Sequence, residues 1–464
     1  MLAVLCLFLP SAGASAPEYD LARMRQLNPD FSTYPEAKGI VWLKRVSYAP
    51  ARDGGMERTH LWILLGRDGL EDRWLNWEIP EPPGGRTQIL ETSAYAFGSG
   101  QKVVDALPLE RNQGGVTMRS VRFNGLPEPF ILVVSWKDSF PAGLSLEDWV
   151  WTQEMLPVWE SIVEVEIPDG RPLFYQSFRG TRPEVKKGGG VSVYTWRSVN
   201  AEPLTPGRLR VSSRGGVVFS MRRGAEGIAR LMRDRAAAPV PPAPPAALEG
   251  FHRGAEAGIS ALLAWLYGQP EAVIPEDCSR ELPSVGPWTR GEKLLLAHGW
   301  LRDRGVDVLL HWKTPFEPDA DSPVCPGALK EPVLEIFPFK GGKSREGFFC
   351  DMDDAPQMGR TSSLLMGSRI FRPAEDGRLM GQKIPEAKAA DNRLRVLFDL
   401  SLSPGGTLGG TVRLQARGAW RPLFFRGWED GRAEGLLSSL FRNLRGADEV
   451  RYKESKAEAE LTFN

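Results

Sequence analysis

The stretch GPWTRGEKLLLAHGWLRDRGVDV, residues 286–308, decides how the middle of this chain folds. Thr289 and Glu292 have the spacing of a capping box, in which each side chain accepts a hydrogen bond from the other residue's backbone N–H. An apolar run follows, and Gly305 is the residue type that commonly ends a helix. The stretch therefore predicts a helix that runs from the Thr289 cap to Arg304 and is followed by a strand.

Strand signals dominate on both sides of this helix. The segment SIVEVEIP, residues 161–168, alternates apolar and charged residues, which is typical of an antiparallel sheet with one face in water. Similar runs, separated by turns such as KKGGG, continue from residue 39 to about residue 215. We therefore expect an α+β fold that is mostly β, with an N-terminal β-sandwich.

Shifts in composition divide the chain into five parts. The predicted organisation is a signal-like segment at 1–16, a β-sandwich domain at 17–235, a linker at 236–247, an α+β domain at 248–385, and a C-terminal β domain at 386–464. The linker sequence AAAPVPPAPPAA favours an extended, semi-rigid spacer because proline has no backbone N–H and a fixed φ. A strictly alternating hairpin predicts the last domain, whose completeness the sequence leaves open.

Charge and composition exclude some classes of function. The 58 basic residues equal the 58 acidic residues, whereas a nucleic-acid-binding protein needs a basic excess or a clustered basic stripe. The apolar start MLAVLCLFLP, followed by small residues, resembles an export signal, although no Lys or Arg precedes it. We expect a periplasmic or secreted protein without a membrane span in the mature chain, no cofactor and no bound metal.

The cysteines offer two predictions. Cys325 and Cys350 flank a predicted strand pair and are the best candidates for a disulfide. Cys278 lies in the loop PEDCSREL, before the helix, and could form a nucleophile pair with His298 or His311. The neighbouring acidic residues would raise the pKa of a thiol at that position, which favours an ordinary loop cysteine.

Three further stretches carry a resemblance to a known family: YPEAKGIVWLKRVSY (34–48), VYTWRSVNAEPLTP (193–206) and SLSPGGTLGGTVRLQARG (401–418). With the helix at 289–304, they resemble bacterial exported proteins that join an N-terminal β-sandwich domain of unknown function to a transglutaminase-like core, which has a papain-like α+β fold. The resemblance implies a Cys at the start of the helix, a His on a following strand and an Asp on the next strand.

This chain departs from the triad that the family pattern implies. With Lys293 and Gly305 aligned, Arg290 takes the place of the nucleophilic Cys. Pro332 takes the place of the His, and only Asp351 matches the third member. Acyl transfer by this route needs a thiolate and a base within hydrogen-bond reach, so the pattern predicts a non-catalytic core with a vestigial Asp351.

Two functional hypotheses follow from this pattern. The first is a non-catalytic binding or scaffold protein that holds a protein or peptide of the cell envelope in the former substrate groove, lined by Trp288, Arg290 and Trp312. Trp288 could instead fill the groove as a core residue, and the sequence does not choose between these roles. The alternative hypothesis is a transglutaminase or peptidase with Cys278 as a relocated nucleophile.

Overall fold

The computed structural model describes residues 19–463, except for 52–53, 83, 114, 143–145, 181, 205–214, 273–280, 315, 330, 338–346, 354–355, 357, 363–364, 387–391, 405–407, 419–450 and 455–457. The predicted signal-like segment and Cys278 therefore lie outside the described residues. Strands clearly outnumber helices, which confirms the prediction of a mostly β, α+β fold. No helix in the described ranges is long and apolar enough to cross a bilayer.

The N-terminal part is built from fourteen strands and two short helices, counted over the described residues. The helices are α1 (Leu21–Leu27) and α2 (Asp72–Leu75). The strands are β1 (Gly39–Pro50), β2 (Met56–Gly66), β3 (Asn76–Pro80), β4 (Arg86–Ala96), β5 (Lys102–Asp105), β6 (Leu109–Gln113), β7 (Val116–Arg122), β8 (Phe130–Phe140), β9 (Glu147–Trp151), β10 (Val158–Pro168), β11 (Phe174–Phe178), β12 (Glu184–Gly188), β13 (Val191–Ala201) and β14 (Gly216–Ser220).

Eight of these strands form one large sheet in the order β12-β13-β10-β1-β2-β8-β4-β5, and only the β1–β10 pair is parallel. Two three-stranded sheets, β3-β7-β6 and β11-β14-β9, cover one face of it and bury two separate apolar clusters. The N-terminal segment around α1 packs on the other face against Trp42 and Ile63. Strands with an apolar face require this kind of layered closure.

The middle part packs helices on one face of a five-stranded sheet. The helices are α3 (Ala225–Ala237), α4 (Pro245–Leu248), α5 (Ala255–Tyr267) and α6 (Arg290–Asp303), with 3₁₀ turns at Glu249–Arg253 and Pro326–Leu329. The strands are β15 (Asp307–Lys313), β16 (Glu331–Phe337), β17 (Phe348–Cys350), β18 (Arg369–Pro373) and β19 (Leu379–Lys383), in the order β17-β16-β15-β18-β19.

The core of this middle part extends across the predicted linker. Helix α3, whose Ile228 and Met232 are buried, contributes to the same apolar cluster as α5 and α6. Val240 lies so close to Gly299 of α6 that a Cβ at that glycine would come within 2.3 Å of it. Trp300 Nε1 donates a hydrogen bond of 2.6 Å to the Pro241 carbonyl. The segment at 236–247 is therefore packed against α6 and is not a free spacer.

The C-terminal part forms a four-stranded sheet in the order β20-β21-β23-β22. The strands are β20 (Leu394–Leu402), β21 (Leu408–Arg417), β22 (Arg451–Glu454) and β23 (Glu458–Phe463). The β20–β21 hairpin confirms the predicted hairpin. The last strand, β23, pairs with both β21 and β22 and is therefore internal to this sheet. The spacing of apolar residues between positions 436 and 444 predicts a further helix, and this segment lies outside the described residues.

Candidate functional site

The start of α6 has the local structure that its sequence predicts. Thr289 Oγ1 accepts a hydrogen bond of 3.2 Å from the Glu292 backbone N–H, and Glu292 Oε2 accepts one of 2.7 Å from the Thr289 N–H. Both halves of the capping box are present, so the first turn of the helix is fixed in place. Arg290 is the first helical residue, at the position that the family pattern assigns to the nucleophile.

Arg290 forms two ion pairs. Its Nε lies 3.0 Å from the Glu271 carboxylate, and its Nη1 lies 2.8 Å from Asp353 Oδ1. Burial disfavours the guanidinium charge, but Asp353 and Glu271 outweigh that effect and raise the pKa of Arg290. The two carboxylates also offset the electrostatic repulsion between the Arg290 guanidinium and the positive end of the helix dipole. A guanidinium held in this way stays protonated and cannot act as a nucleophile.

The partner of Arg290 is Asp353, and the nearby Asp351 has a different role. Asp351 is buried, and its Oδ1 accepts a hydrogen bond of 3.0 Å from the Asp353 backbone N–H. Burial and the charge of Asp353 raise the pKa of Asp351 to about 6, against the opposing effect of Lys313. Lys313 itself pairs with Glu331 at 3.1 Å. Asp351 is thus a buried carboxyl in a charged turn, and no described histidine contacts it.

Lys293, one turn into α6, is also fixed structurally. Its side chain is buried, and Nζ donates a hydrogen bond of 2.6 Å to the Gln269 carbonyl. Burial lowers the pKa of Lys293, and the charge of Glu271 opposes this shift. This bond ties the helix start to the loop that also carries Glu271. The residues around the α6 terminus therefore join the helix to its neighbours and leave no activated nucleophile among the described residues.

Pro332 occupies the position that the family pattern gives to a histidine. It lies in β16 directly opposite Trp312 of β15, so its ring belongs to the packed sheet. It has no group that can accept a proton. On the next strand Cys350 is opposite Leu334, and Asp351 follows one residue beyond the last pairing. Neither Pro332 nor Asp351 therefore takes part in a base–orienter pair among the described residues.

Trp288 and Trp312, the predicted groove residues, are both buried. Trp288 is 4% exposed and Trp312 is 1% exposed, and both belong to the main cluster of the middle domain. Trp288 Nε1 donates a hydrogen bond of 2.9 Å to the Pro283 carbonyl, and its ring lies 6.2 Å from that of Trp265. Their placement agrees with the alternative in which Trp288 is a core residue. In this arrangement neither ring is open to a ligand.

The cysteines and histidines supply no catalytic pair in the described part of the chain. The predicted Cys325–Cys350 disulfide is wrong, because both residues are buried without a disulfide bond. Burial raises the pKa of Cys350 well above its usual range, which suppresses the thiolate. His311 Nε2 lies 2.8 Å from Glu335 Oε2 in the buried sheet. The alternative nucleophile Cys278 lies outside the described residues.

The described residues form no group of three or more His, Cys, Asp or Glu side chains that could hold a metal ion.

Burial, reinforced by Arg302, lowers the pKa of His298 to about 4, so this imidazole is neutral at pH 7. His298 lies in the middle of α6 and faces the packed interior. We assign it, like His311, to the structure of the core.

A cleft of about 380 Å³ opens elsewhere in the middle domain, between the start of α3 and strands β18 and β19. Its lining combines two arginines, two glutamates and an aromatic floor: Ala225, Glu226, Glu317, Pro318, Arg369, Phe371, Arg378, Leu379 and Gly381. Arg369 pairs with Glu317 across the cleft, and both side chains are largely exposed. The sequence does not predict this cleft, because its charged residues come from four separate segments of the chain. The first of them, Glu226, and the last, Arg378, are more than 150 residues apart.

Comparisons with known proteins identify a solved structure with a similar fold, but they identify no family for this chain. No protein-family model matches the chain, and no curated protein matches it. A crystal structure of a candidate protease from Parabacteroides distasonis aligns at 10% identity over 92% of each chain, with a TM-score of 0.51. This likeness extends over most of both chains and concerns the fold alone.

Two other solved structures align more weakly. An M1 zinc metallopeptidase from Deinococcus radiodurans aligns at 13% identity over 57% of this chain and 64% of its own, with a TM-score of 0.24. Legionella pneumophila aminopeptidase A aligns at 8% identity over 41% of this chain and 22% of its own, also with a TM-score of 0.24. TM-scores this low do not establish a shared fold. None of the three proteins is described as transglutaminase-like, so that resemblance stays a prediction.

Proposed function

We propose that this chain is a non-catalytic binding protein of the cell envelope, built on a degenerate transglutaminase-like core, and that its ligand is a peptide or an extended segment of a protein. The observation that carries the proposal is the position of Arg290. A guanidinium paired with Glu271 and Asp353 occupies the helix start where the resemblance expects a thiol. Acyl transfer at that position has no nucleophile.

The buried state of Trp288 and Trp312 moves the proposed binding surface away from the α6 terminus. The cleft beside β19 is better suited, because its guanidinium and carboxylate groups match the mixed charges of a peptide, and Phe371 and Leu379 offer apolar contact. Strand β19 is also the last strand of its sheet among the described residues. A peptide could therefore add to this edge through backbone hydrogen bonds while its side chains meet the cleft.

Fluorescence anisotropy with a library of labelled decapeptides of mixed charge tests this proposal. The full chain is expected to bind a subset of the peptides. Because a hydrogen bond to a charged group contributes roughly 1.5–3 kcal/mol, Arg369→Ala and Arg378→Ala should each weaken that subset by about tenfold or more. Arg73→Ala, on a distant and exposed part of the N-terminal domain, serves as the control. Equal affinities for all three variants would refute this cleft as the binding site.

A further inference from the structure

Strand β20 carries an exposed apolar face. Phe398, Leu400 and Leu402 alternate along the strand, so they point to one side of the sheet, and they are 56%, 40% and 70% exposed. On the neighbouring strand the residues of the same face, Val412 and Leu414, are buried. The apolar face therefore continues from the inside of the sheet to its margin.

Strand β20 is also at an edge of its sheet within the described part of the chain, where its one partner strand is β21. An edge strand offers a row of backbone N–H and C=O groups to another strand. Natural edge strands usually carry charges or proline on such a margin, and an exposed apolar edge predicts pairing with another chain. The sequence of β20, LRVLFDLSL, contains no proline, and its two charged residues, Arg395 and Asp399, have opposite signs, so they can pair across an interface instead of blocking it.

The charges of β20 lie on the opposite face from the apolar residues and are arranged symmetrically. Arg395 and Asp399 are exposed, and Leu397 lies midway between them. Neither charge forms an ion pair within the described residues. If a second β20 approaches antiparallel with its two-fold axis at Leu397, Arg395 of each copy is opposite Asp399 of the other.

The same register also aligns the apolar face. Val396 is then opposite Phe398 of the second copy, and Leu394 is opposite Leu400 of the second copy. Aromatic–β-branched pairs and opposite charges are the cross-strand pairs that stabilise antiparallel strands. A shift of the axis to Phe398 would place Arg395 opposite Ser401 and Asp399 opposite Leu397, so the charges select the register centred on Leu397.

We propose that a second copy of this chain binds along β20, so that the two C-terminal sheets join antiparallel into one continuous sheet with its two-fold axis at Leu397. This isologous interface uses a different part of the molecule from the proposed peptide cleft, so a result that excludes one of them leaves the other unaffected. The alternative occupants, an unrelated strand or a segment of the same chain, predict no symmetric pairing at Leu397.

Site-specific disulfide formation tests the register. A cysteine at the axis faces its own copy, so Leu397→Cys should form a covalent dimer under mild oxidation, because directly opposed Cα atoms lie within disulfide range. Ser401→Cys is the matched control on the same strand face. Its two copies would lie about 26 Å apart at the rise of an extended strand, so that variant should behave as the oxidised wild type does. Failure of Leu397→Cys to cross-link, or equal cross-linking of both variants, overturns the proposal.

Sedimentation equilibrium tests the charge pairing without cysteine. The wild-type chain should show a dimer that dissociates on dilution. Asp399→Arg places two arginines opposite each other on both sides of the axis and should weaken dimerisation by tenfold or more, whereas the swapped variant Arg395→Asp/Asp399→Arg should restore it. All these positions are exposed, so folding should be preserved. A wild-type monomer at every concentration, or a dimer unaffected by Asp399→Arg, contradicts the proposal.

Discussion

Arg290 Nη1 lies 2.8 Å from Asp353 Oδ1, which joins the first residue of α6 to the turn that follows β17. The two residues are 63 positions apart in the chain, and the ion pair closes the helix start that would have to be open for a nucleophile to act. Glu271 completes the arrangement from a third segment. The proposed non-catalytic core depends on this contact.

Replacement of Arg290 by alanine should lower the free energy of unfolding by about 1 kcal/mol. Two half-exposed ion pairs are lost, and such pairs are each worth roughly 0.2–1 kcal/mol. Chemical denaturation of Arg290→Ala, Asp353→Asn and the double variant gives the coupling between them. Lys186→Ala, whose ion pair with Glu184 is local and exposed, is the control and should change stability by less than about 0.5 kcal/mol. Strict additivity of the two changes would argue against the contact.

Trp288→Ala should destabilise the middle domain by about 3–5 kcal/mol, because removal of a large buried aromatic side chain leaves a cavity. The hydrogen bond to the Pro283 carbonyl is lost as well. Val285→Ala changes a nearby side chain that is 76% exposed and should have almost no effect. Thermal unfolding of both variants distinguishes a core residue from a groove residue. A Trp288→Ala protein with wild-type stability would show that the ring is not a packing element.

Asp351 should make the protein less stable as the pH rises. Because its pKa is raised from 3.8 to about 6, the folded chain binds this proton more tightly than the unfolded chain does. The contribution is complete below about pH 4 and is lost as the pH rises through 6, with a total of about 3 kcal/mol. Asp351→Asn should remove this dependence, and Asp307→Asn, at an exposed position, should leave it unchanged. Parallel pH profiles for wild type and Asp351→Asn would exclude the effect.

His298 should act in the opposite direction. Burial, with a smaller effect of Arg302, depresses its pKa from 6.5 to about 4, so the unfolded chain takes up this proton first. The contribution of His298 to the free energy of unfolding is complete above about pH 6.5, and it falls by about 3 kcal/mol as the pH drops towards 4. His298→Gln should therefore flatten the acid side of the profile, while the exposed His252→Gln serves as control. An unchanged acid slope in His298→Gln would place the imidazole in contact with water.

The local features of the fold could be predicted from the sequence because their signals lie within a few residues. The capping box at Thr289 and Glu292 and the alternation of β20 are examples, and both form as expected. The buried face of α5 also follows from the spacing of Ile259, Leu262 and Leu266. In each case a short local pattern, either a cap spacing or a periodicity, is enough to determine the element.

The features that depend on distant contacts could not be predicted. The composition of the segment 236–247 is that of a spacer, yet Val240 and Pro241 pack on α6. No local pattern predicts this contact, because Gly299 and the Trp300 indole, which they touch, are about 60 residues away in the chain. The partners of Arg290 come from two other segments for the same reason. The sequence identified an unusual residue at the helix start, but a single sequence carries no information on which carboxylates neutralise it.

The most direct test of the central claim is an amine-incorporation assay, in which a labelled primary amine and a glutamine-containing protein are incubated with the full chain, with peptide hydrolysis followed in parallel. Wild type and Cys278→Ser are compared at equal concentration. Neither protein is expected to give product above the level without added protein, because Arg290, paired with Glu271 and Asp353, occupies the helix start where the nucleophile would have to lie. Turnover by the wild type that Cys278→Ser abolishes would contradict the account.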